Sequence, residues 1–338
     1  MEQKILLPNH NYKVLIRCNT FNQSKFIKET LTGFTIQETN FPYICLIIDD
    51  CSTDGEPEVI KEFLRNECVI GKAILYDTPE AEVIIVSHKN NKNCTFAIYF
   101  LKENFYSQKK SKNIFILPWE NICKYEAICE GDDYWIDSNK LQKQVDFLDT
   151  HKSVSCAFHR FQIFNEDSKE SFLSKDPIFD KPENKDVNYY LFNNEYNILK
   201  HWTSKTLTIV YRLNLINNET IANYKYRRDV HIVYYLLKKG QGVCMNFVGG
   251  VYRVNSNGIF GSKSVCEQNH INALVYKEFS EKEDDYLLKE AYYRFLDYYM
   301  FHSHHGLSLF LYRVKRRIRN YCNKKKRIQL YNKIEPKL

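Results

Sequence analysis

Short apolar runs that end in polar turn residues alternate with helix-like segments through the first half of the chain. Residues 12–19, 43–48, 81–88 and 125–129 form compact apolar runs and are predicted strands. Residues 24–34 and 52–64 place their apolar side chains on one helical face, and we also predict a helix over 94–105. This alternation predicts an α/β fold, in which helices flank both faces of a mostly parallel sheet.

The second half is less regular. We predict helices over 136–151 and from Asp229 to Gly240. We also predict strands over 153–161 and 203–212, and a strand or hairpin over 242–255. Residues 165–197 are polar with little periodicity and predict a long loop or mobile insertion. Helical periodicity begins near residue 267, so we predict a main domain over 1–265 and a helical C-terminal extension over 266–338.

Polar motifs follow three of the predicted strands: NTFN after the first, DDCSTD after the second and EGDD after residues 125–129. Ligands bind at the carboxyl ends of the strands in open parallel sheets. Neither GxGxxG nor GxxxxGK[ST] is present, so the chain lacks a glycine-rich phosphate cradle. Glu130, Asp132 and Asp133 repel one another, and a divalent cation such as Mg²⁺ or Mn²⁺ would both relieve this repulsion and hold a phosphate group.

Three stretches together resemble the family 2 glycosyltransferases of the bacterial surface-polysaccharide type. They are VLIRCNTFNQSKFIKETLTGF, LIIDDCSTDG and YEAICEGDDYWIDSNKLQKQVDFL, and the resemblance extends from residue 13 to about 161 and more weakly to about 261. It implies a GT-A-like (Rossmann-like) fold and a metal-dependent, inverting transfer. The sugar would move from a nucleoside-diphosphate donor to a hydroxyl of a growing cell-surface polysaccharide or lipid-linked glycan.

The resemblance also implies roles for the residues at the first two strand ends. Thr20, Phe21 and Asn22 stand where the family has its Thr-Tyr-Asn turn, so Phe21 would lie against the nucleobase. Asp50 would accept a hydrogen bond from the base, and Asp49 would brace the turn.

The remaining implied roles concern the metal and the chemical step. Asp132 is the first expected ligand of Mn²⁺ or Mg²⁺, Asp133 the second, and Glu130 an outer support. Asn255 stands where family members often have a histidine after Tyr-Arg, and Asp229 stands roughly where the family has its general base.

Plainer interpretations remain open at this stage. Asp229 is suited to cap a helix, and Asp49 and Asp50 are ordinary residues for a turn. A non-catalytic glycan- or nucleotide-binding protein on the same fold is the main alternative function. A nucleotidyltransferase is less well supported, because its glycine-rich, basic N-terminal loop is missing.

The net charge of +7 belongs to the end of the chain. Nine cations lie between residues 313 and 327, so the other residues carry a net charge near −2, seven minus nine. Apolar residues recur there at spacings of three and four, which predicts a basic amphipathic helix. Such a helix either packs on the main domain or lies on an anionic membrane, and the sequence leaves both open. Nucleic acid is not an expected partner, since no binding module accompanies these cations.

The remaining composition predicts a cytoplasmic protein, in contact with the inner face of the cell membrane if the basic helix binds lipid. We find no signal peptide and no apolar run of the roughly 20 residues that a spanning helix needs. The eleven cysteines include no CxxC pair, and we expect reduced thiols, several of them in the core.

Overall fold

The computed structural model describes residues 11–254 and 263–331. In this part of the chain the strands form one sheet, which helices cover on both faces. The strands are β1 Val14–Thr20, β2 Tyr43–Asp49, β3 Ile74–Asp77, β4 Ala81–Ser87, β5 Cys94–Leu101, β6 Tyr125–Ile128, β7 Tyr134–Trp135, β8 Val154–Asn165, β9 Ser171–Leu173, β10 Tyr189–Phe192, β11 Val210–Arg212 and β12 Gln241–Val254. The α-helices are α1 Ile27–Thr35, α2 Glu56–Glu67, α3 Asn113–Glu120, α4 Lys140–Thr150, α5 Asn218–Ala222, α6 Asp229–Lys239, α7 Val265–Glu283, α8 Tyr286–Ser303, α9 Gly306–Cys322 and α10 Lys324–Tyr331.

The centre of the sheet is parallel, and the predicted α/β architecture is confirmed. β1 pairs in parallel with β2 and with β6, and β2 also pairs in parallel with β5. The register sets Thr20 opposite Asp49, and Arg17 opposite Ile128. β1, β2 and β6 therefore end at the same edge of the sheet, and the three polar motifs that follow them meet there.

The predicted helix over residues 94–105 is wrong, because this segment contains β5. All eight residues of β5 are buried, between parallel β2 and antiparallel β4. A strand that is buried on both faces shows no alternation of polar and apolar residues, so periodicity cannot separate it from a buried helix. Its β-branched and aromatic residues are the signal that favours a strand.

The second half of the chain also departs from expectation. The predicted loop over 165–197 contains β9 and β10, and β10 forms an edge of the sheet beside β12. The strand predicted over 203–212 shortens to β11, because a 3-10 turn occupies Thr206–Thr208. β11 runs antiparallel between β6 and β8, and this order extends the parallel centre into a mixed sheet.

Two hydrophobic layers hold the sheet. Alternate residues of β1 point to opposite faces, so Val14 packs with α1 and α4 while Leu15 packs with the layer that contains Trp119 of α3. Burying both faces in this way explains why the central strands are almost entirely apolar. All eleven cysteines are free thiols, and Cys18, Cys45, Cys129 and Cys156 are buried, as expected.

The helical C-terminal region begins with α7. α7 and α8 share a hydrophobic cluster with α6, in which Phe279 and Leu288 are fully buried against Tyr234. α9 and α10 follow along α8. Within the described residues, none of the helices combines the length and the apolar character needed to cross a membrane.

Candidate active site

The loops after β1 and β2 are joined by reciprocal hydrogen bonds. The Asn22 amide donates to Ser52 Oγ at 2.8 Å, and the Thr53 amide donates to Asn22 Oδ1 at 2.8 Å. Asn22 has a φ of 55°, a left-handed conformation that asparagine tolerates better than most residues. The Ser52 hydroxyl and amide donate to Asp49, which is the contact of a carboxylate that braces this turn.

Glu56, which the sequence analysis did not single out, locks the two loops together. Its carboxylate is fully buried and accepts hydrogen bonds from the Thr20 hydroxyl and the Gln23 amide at 2.8 Å, and Ser52 Oγ lies 2.9 Å from its Oε2. Burial raises the pKa of Glu56, and these donors oppose the rise. The arrangement leaves the Phe21 ring 42% exposed at the surface of the joined loops.

The acidic loop after β6 packs against the same corner. A Cβ at Gly131 would lie 2.2 Å from Thr20 Oγ1, so only glycine allows this approach. Thr30 Oγ1 is within hydrogen-bond distance of the carbonyls of Gly131 (2.9 Å) and Asp133 (2.7 Å). The structure thus brings Thr20, Phe21, Asn22, Asp49 and the loop of Glu130, Asp132 and Asp133 together, as the strand ends predict.

Arg253 of β12 fixes the acidic loop from the other side. Its amide donates to Asp133 Oδ1 and its Nε to the carbonyl of Asp132, both at 2.8 Å. The rest of the guanidinium forms ion pairs with Glu29 and Glu166, and only 5% of the side chain is exposed. Arg253 is therefore a positioning residue for the acids.

Burial disfavours the charged forms of all three acids. Burial raises the pKa of Glu130 to about 7, with the Arg17 charge opposing this and the Asp132 charge adding to it. Burial also raises the pKa of Asp132, and burial together with the Asp132 charge raises the pKa of Asp133 well above its ordinary value. A cation among these carboxylates would stabilise their ionised forms.

The acids are suited to a metal ion that takes part of its ligands from the protein and the rest from a bound substrate. Within residues 11–254 and 263–331, no three His, Cys, Asp or Glu side chains converge as an all-protein metal site requires. Mg²⁺ is commonly held by one or two carboxylates plus substrate phosphates, and Asp132 with Asp133 matches that requirement. Asn255, the fourth predicted ligand, lies outside the described residues.

Asp50 is held by its own chain. Its carboxylate accepts hydrogen bonds from the amides of Phe105 (2.8 Å) and Tyr106 (3.0 Å), and Lys112 Nζ lies 3.1 Å from Oδ2. The segment from β5 to α3 is thereby anchored to the end of β2. The predicted role of Asp50, which is to accept a hydrogen bond from the nucleobase of the donor, stays a prediction.

Asp229 is the first residue of α6 but does not cap it. The cap position is Arg228, whose amide donates to Nδ1 of His231 at 3.1 Å, while burial lowers the pKa of His231 to about 4. The Asp229 carboxylate accepts a local hydrogen bond from the Val230 amide at 3.0 Å. Burial raises the pKa of Asp229, and Lys205 opposes the rise.

A cavity of about 420 Å³ opens beside Asp229. Its walls include Lys205 and Tyr252 from the main domain, Tyr276 from α7 and Phe295 from α8. Lys205 Nζ lies 4.2 Å from the centre of the Tyr252 ring; burial lowers the pKa of Lys205, and the charges of Asp229 and Asp133 oppose this. A cavity of about 640 Å³ lies at the amino ends of β1 and β6, away from the acids, where parallel sheets do not usually bind ligands.

Sequence comparisons find known proteins that match part of this chain. No family model matches the chain. An uncharacterized protein of Mycobacterium tuberculosis is 34% identical over 148 residues, which is 44% of this chain and 35% of that protein. The chain therefore spans about a third of the length of this relative. The putative teichuronic acid biosynthesis glycosyltransferase TuaG of Bacillus subtilis is 22% identical over 256 residues, or 75% of this chain and 84% of TuaG.

Two solved structures superpose on most of this chain. S. aureus TarS in complex with UDP-GlcNAc superposes with a TM-score of 0.50 at 15% identity, over 86% of this chain and 73% of that chain. The mannosyltransferase PcManGT from Pyrobaculum calidifontis, in complex with GDP-Man and Mn²⁺, has a TM-score of 0.49 at 12% identity, over 99% and 88%. The likeness to TarS shows that the GT-A-like arrangement expected from the sequence is the fold of this chain.

Proposed function

We propose that the protein is a glycosyltransferase of the family 2 type. It would move a sugar from a nucleoside-diphosphate donor to a hydroxyl of a growing cell-surface polysaccharide or lipid-linked glycan, in the cytoplasm at the inner face of the membrane. The observation that carries this proposal is the meeting of the three strand-end loops, with the acidic loop packed on Thr20 through Gly131 and the exposed Phe21 next to Thr20 in the chain. The likeness to TuaG and to TarS supports it.

The donor's nucleotide would lie on the joined loops after β1 and β2. The exposed ring of Phe21 suits stacking against a nucleobase. Thr20, Asn22 and Asp49 fix the shape of the surface beneath it through the contacts with Ser52 and Glu56. A carboxylate accepts about four hydrogen bonds, so Asp50 retains one acceptor position for the base beside the amides of Phe105 and Tyr106 and Lys112 Nζ.

The acidic loop would serve the diphosphate. Asp132 and Asp133 would hold Mn²⁺ or Mg²⁺, Glu130 would support them from outside, and Asn255 is the proposed further ligand. When bound, the cation supplies charge neutralisation to the departing diphosphate. Arg253 positions the acidic loop, since its Nε donates to the Asp132 carbonyl and its main-chain amide donates to Asp133 Oδ1.

Asp229 is the proposed base. Its raised pKa strengthens it as a proton acceptor, and it faces a cavity with room for an acceptor sugar. The aromatic rings of Tyr252, Tyr276 and Phe295 offer apolar faces to such a ring. Asp229 would take the acceptor proton as the acceptor oxygen attacks the anomeric carbon and the bond from that carbon to the nucleoside diphosphate breaks; this single displacement would invert the configuration.

A screen of nucleotide sugars for metal-dependent hydrolysis and transfer tests the proposal. We expect one donor to be turned over with Mn²⁺ or Mg²⁺ and not with EDTA. Asp132→Ala should abolish turnover with the fold intact, and Asp229→Asn should keep donor binding but lower transfer about 100- to 10,000-fold. Metal-dependent binding without turnover of any donor would favour the non-catalytic binding protein instead.

A further inference from the structure

One face of α9 is an exposed apolar stripe. None of its side chains is buried, and the exposed fraction runs from 40% for Val314 to 84% for Tyr321. We call this set the α9 stripe: Leu307, Phe310, Leu311, Val314, Ile318 and Tyr321. At 3.6 residues per turn the six positions fall within about a third of the helix circumference. Exposed large apolar side chains in such a contiguous row mark an interaction surface.

The opposite face of α9 is attached to α8. Asp297 of α8 accepts hydrogen bonds from the Tyr312 hydroxyl, from Arg316 Nε at 2.7 Å and from Arg319 Nη2 at 2.9 Å. The Arg319 guanidinium also lies 4.0 Å from the centre of the Tyr293 ring. These contacts fix the rotation of α9, so the stripe faces away from the rest of the described chain. Packing on the main domain, one of the two options left open by the sequence, does not occur there.

Positive charge borders the stripe. Lys315 and Arg317 lie on its two sides, Arg313 lies one step beyond Arg317, and all three are exposed. α10 adds exposed cations at Lys324, Lys325 and Lys326, and no acid occurs between Asp297 and Glu335. A second copy of this surface would bring like charges together, which disfavours a symmetric dimer through the stripe. Nucleic acid would satisfy the cations but would leave the apolar row exposed.

We propose that the α9 stripe lies in the surface of an anionic lipid bilayer. The apolar side chains enter the boundary between headgroups and acyl chains, and the flanking cations contact the lipid phosphates. The Asp297 contacts hold α9 with its stripe facing outward, so the helix would lie parallel to the bilayer surface. This interaction does not depend on the proposed glycosyl transfer, since it involves neither the strand-end loops nor the cavity beside Asp229.

Vesicle flotation of the full chain tests the apolar part of the contact. We expect flotation with vesicles of phosphatidylcholine and phosphatidylglycerol, and little with phosphatidylcholine alone. Phe310→Ser with Ile318→Ser should weaken partitioning about tenfold or more, because two large anchors are lost. Leu75→Ser is the matched control, because Leu75 is 67% exposed on β3, far from α9 in the sequence, and its replacement should change nothing.

A second pair of variants tests the charges. Lys315→Gln with Arg317→Gln should reduce binding to the anionic vesicles about tenfold or more, and added salt should reduce wild-type binding in the same direction. Lys152→Gln with Lys185→Gln removes two exposed cations elsewhere and should leave binding unchanged.

Three results would overturn the proposal: no flotation of the wild type with anionic vesicles, equal flotation of the Phe310 and Ile318 variant, or a lipid-free dimer that this variant abolishes. The last result would assign the stripe to a second copy of the chain. Hydrolysis of a water-soluble donor, measured on the same variants, reports on the proposed function alone, so the two proposals fail separately.

Discussion

Replacement of Gly131 by alanine tests how the acidic loop meets the loop after β1. The added Cβ would lie 2.2 Å from Thr20 Oγ1 and 2.7 Å from Thr20 Cβ, whereas ordinary contacts are 3.4 Å or longer. The two loops must therefore separate by about 1 Å. Thr20 cannot give way alone, because its hydroxyl is bound to the buried Glu56. We expect overpacking to destabilise the protein by about 1–3 kcal/mol.

The assay for Gly131→Ala combines urea denaturation with calorimetric titration of the nucleotide donor. Both stability and donor affinity should fall, since the shift moves the acids relative to the nucleotide surface. Gly71→Ala is the matched control, because a Cβ there meets nothing within 4 Å. In the Thr20→Ala background the cost of Gly131→Ala should be smaller than in the wild type, since the 2.2 Å contact is removed while the contacts with Gln23 Oε1 at 2.3 Å and with the Cβ of residue 20 at 2.7 Å remain. If Gly131→Ala matches Gly71→Ala in both measurements, the packing argument is refuted.

Three further substitutions have defined outcomes. Phe21→Ala should weaken donor binding by titration about tenfold or more through lost stacking, with stability unchanged because the ring is 42% exposed. Arg253→Met should lower stability in urea by about 1–3 kcal/mol, since it leaves the Asp132 carbonyl and the half-buried Glu166 without the guanidinium, and Arg253→Lys should recover only part of this. Burial lowers the pKa of Lys140 to about 7, so the unfolded chain binds more protons between pH 7 and its ordinary pKa of 10.5. The stability of the wild type, relative to that of Lys140→Met, should therefore rise as the pH increases from 7 to 10.5. Lys143→Met, which changes an exposed lysine, should follow the wild type. Parallel pH profiles for Lys140→Met and the wild type would contradict the burial argument.

The centre of the fold and the place of the site were predictable because their signals are local. Each of β1, β2 and β6 is an apolar run that ends at a polar motif, and parallel pairing then brings the three ends together. The close approach of Gly131 to Thr20 follows from that register. No long-range information beyond the α/β alternation was required.

The remaining features depend on contacts that the sequence pattern does not encode. β5 has no polar alternation, because both of its faces are buried. Arg253 lies 224 positions from Glu29, and nothing in the short motif around it indicates that pairing. In the sequence, Glu56 is an ordinary acidic residue of a first helical turn, and its burial depends on the loops that pack over it in the fold. The interaction of Lys205 with Asp229 and Asp133 depends on the fold and has no signal in the sequence.

Calorimetric titration of a panel of UDP- and GDP-sugars tests the central claim most directly, which is a donor site at the shared edge of β1, β2 and β6. We predict saturable binding of at least one donor with Mn²⁺, weakened about tenfold or more both by EDTA and by Asp132→Asn. Failure of every donor to bind, or binding that is equal with EDTA and in Asp132→Asn, would contradict the account.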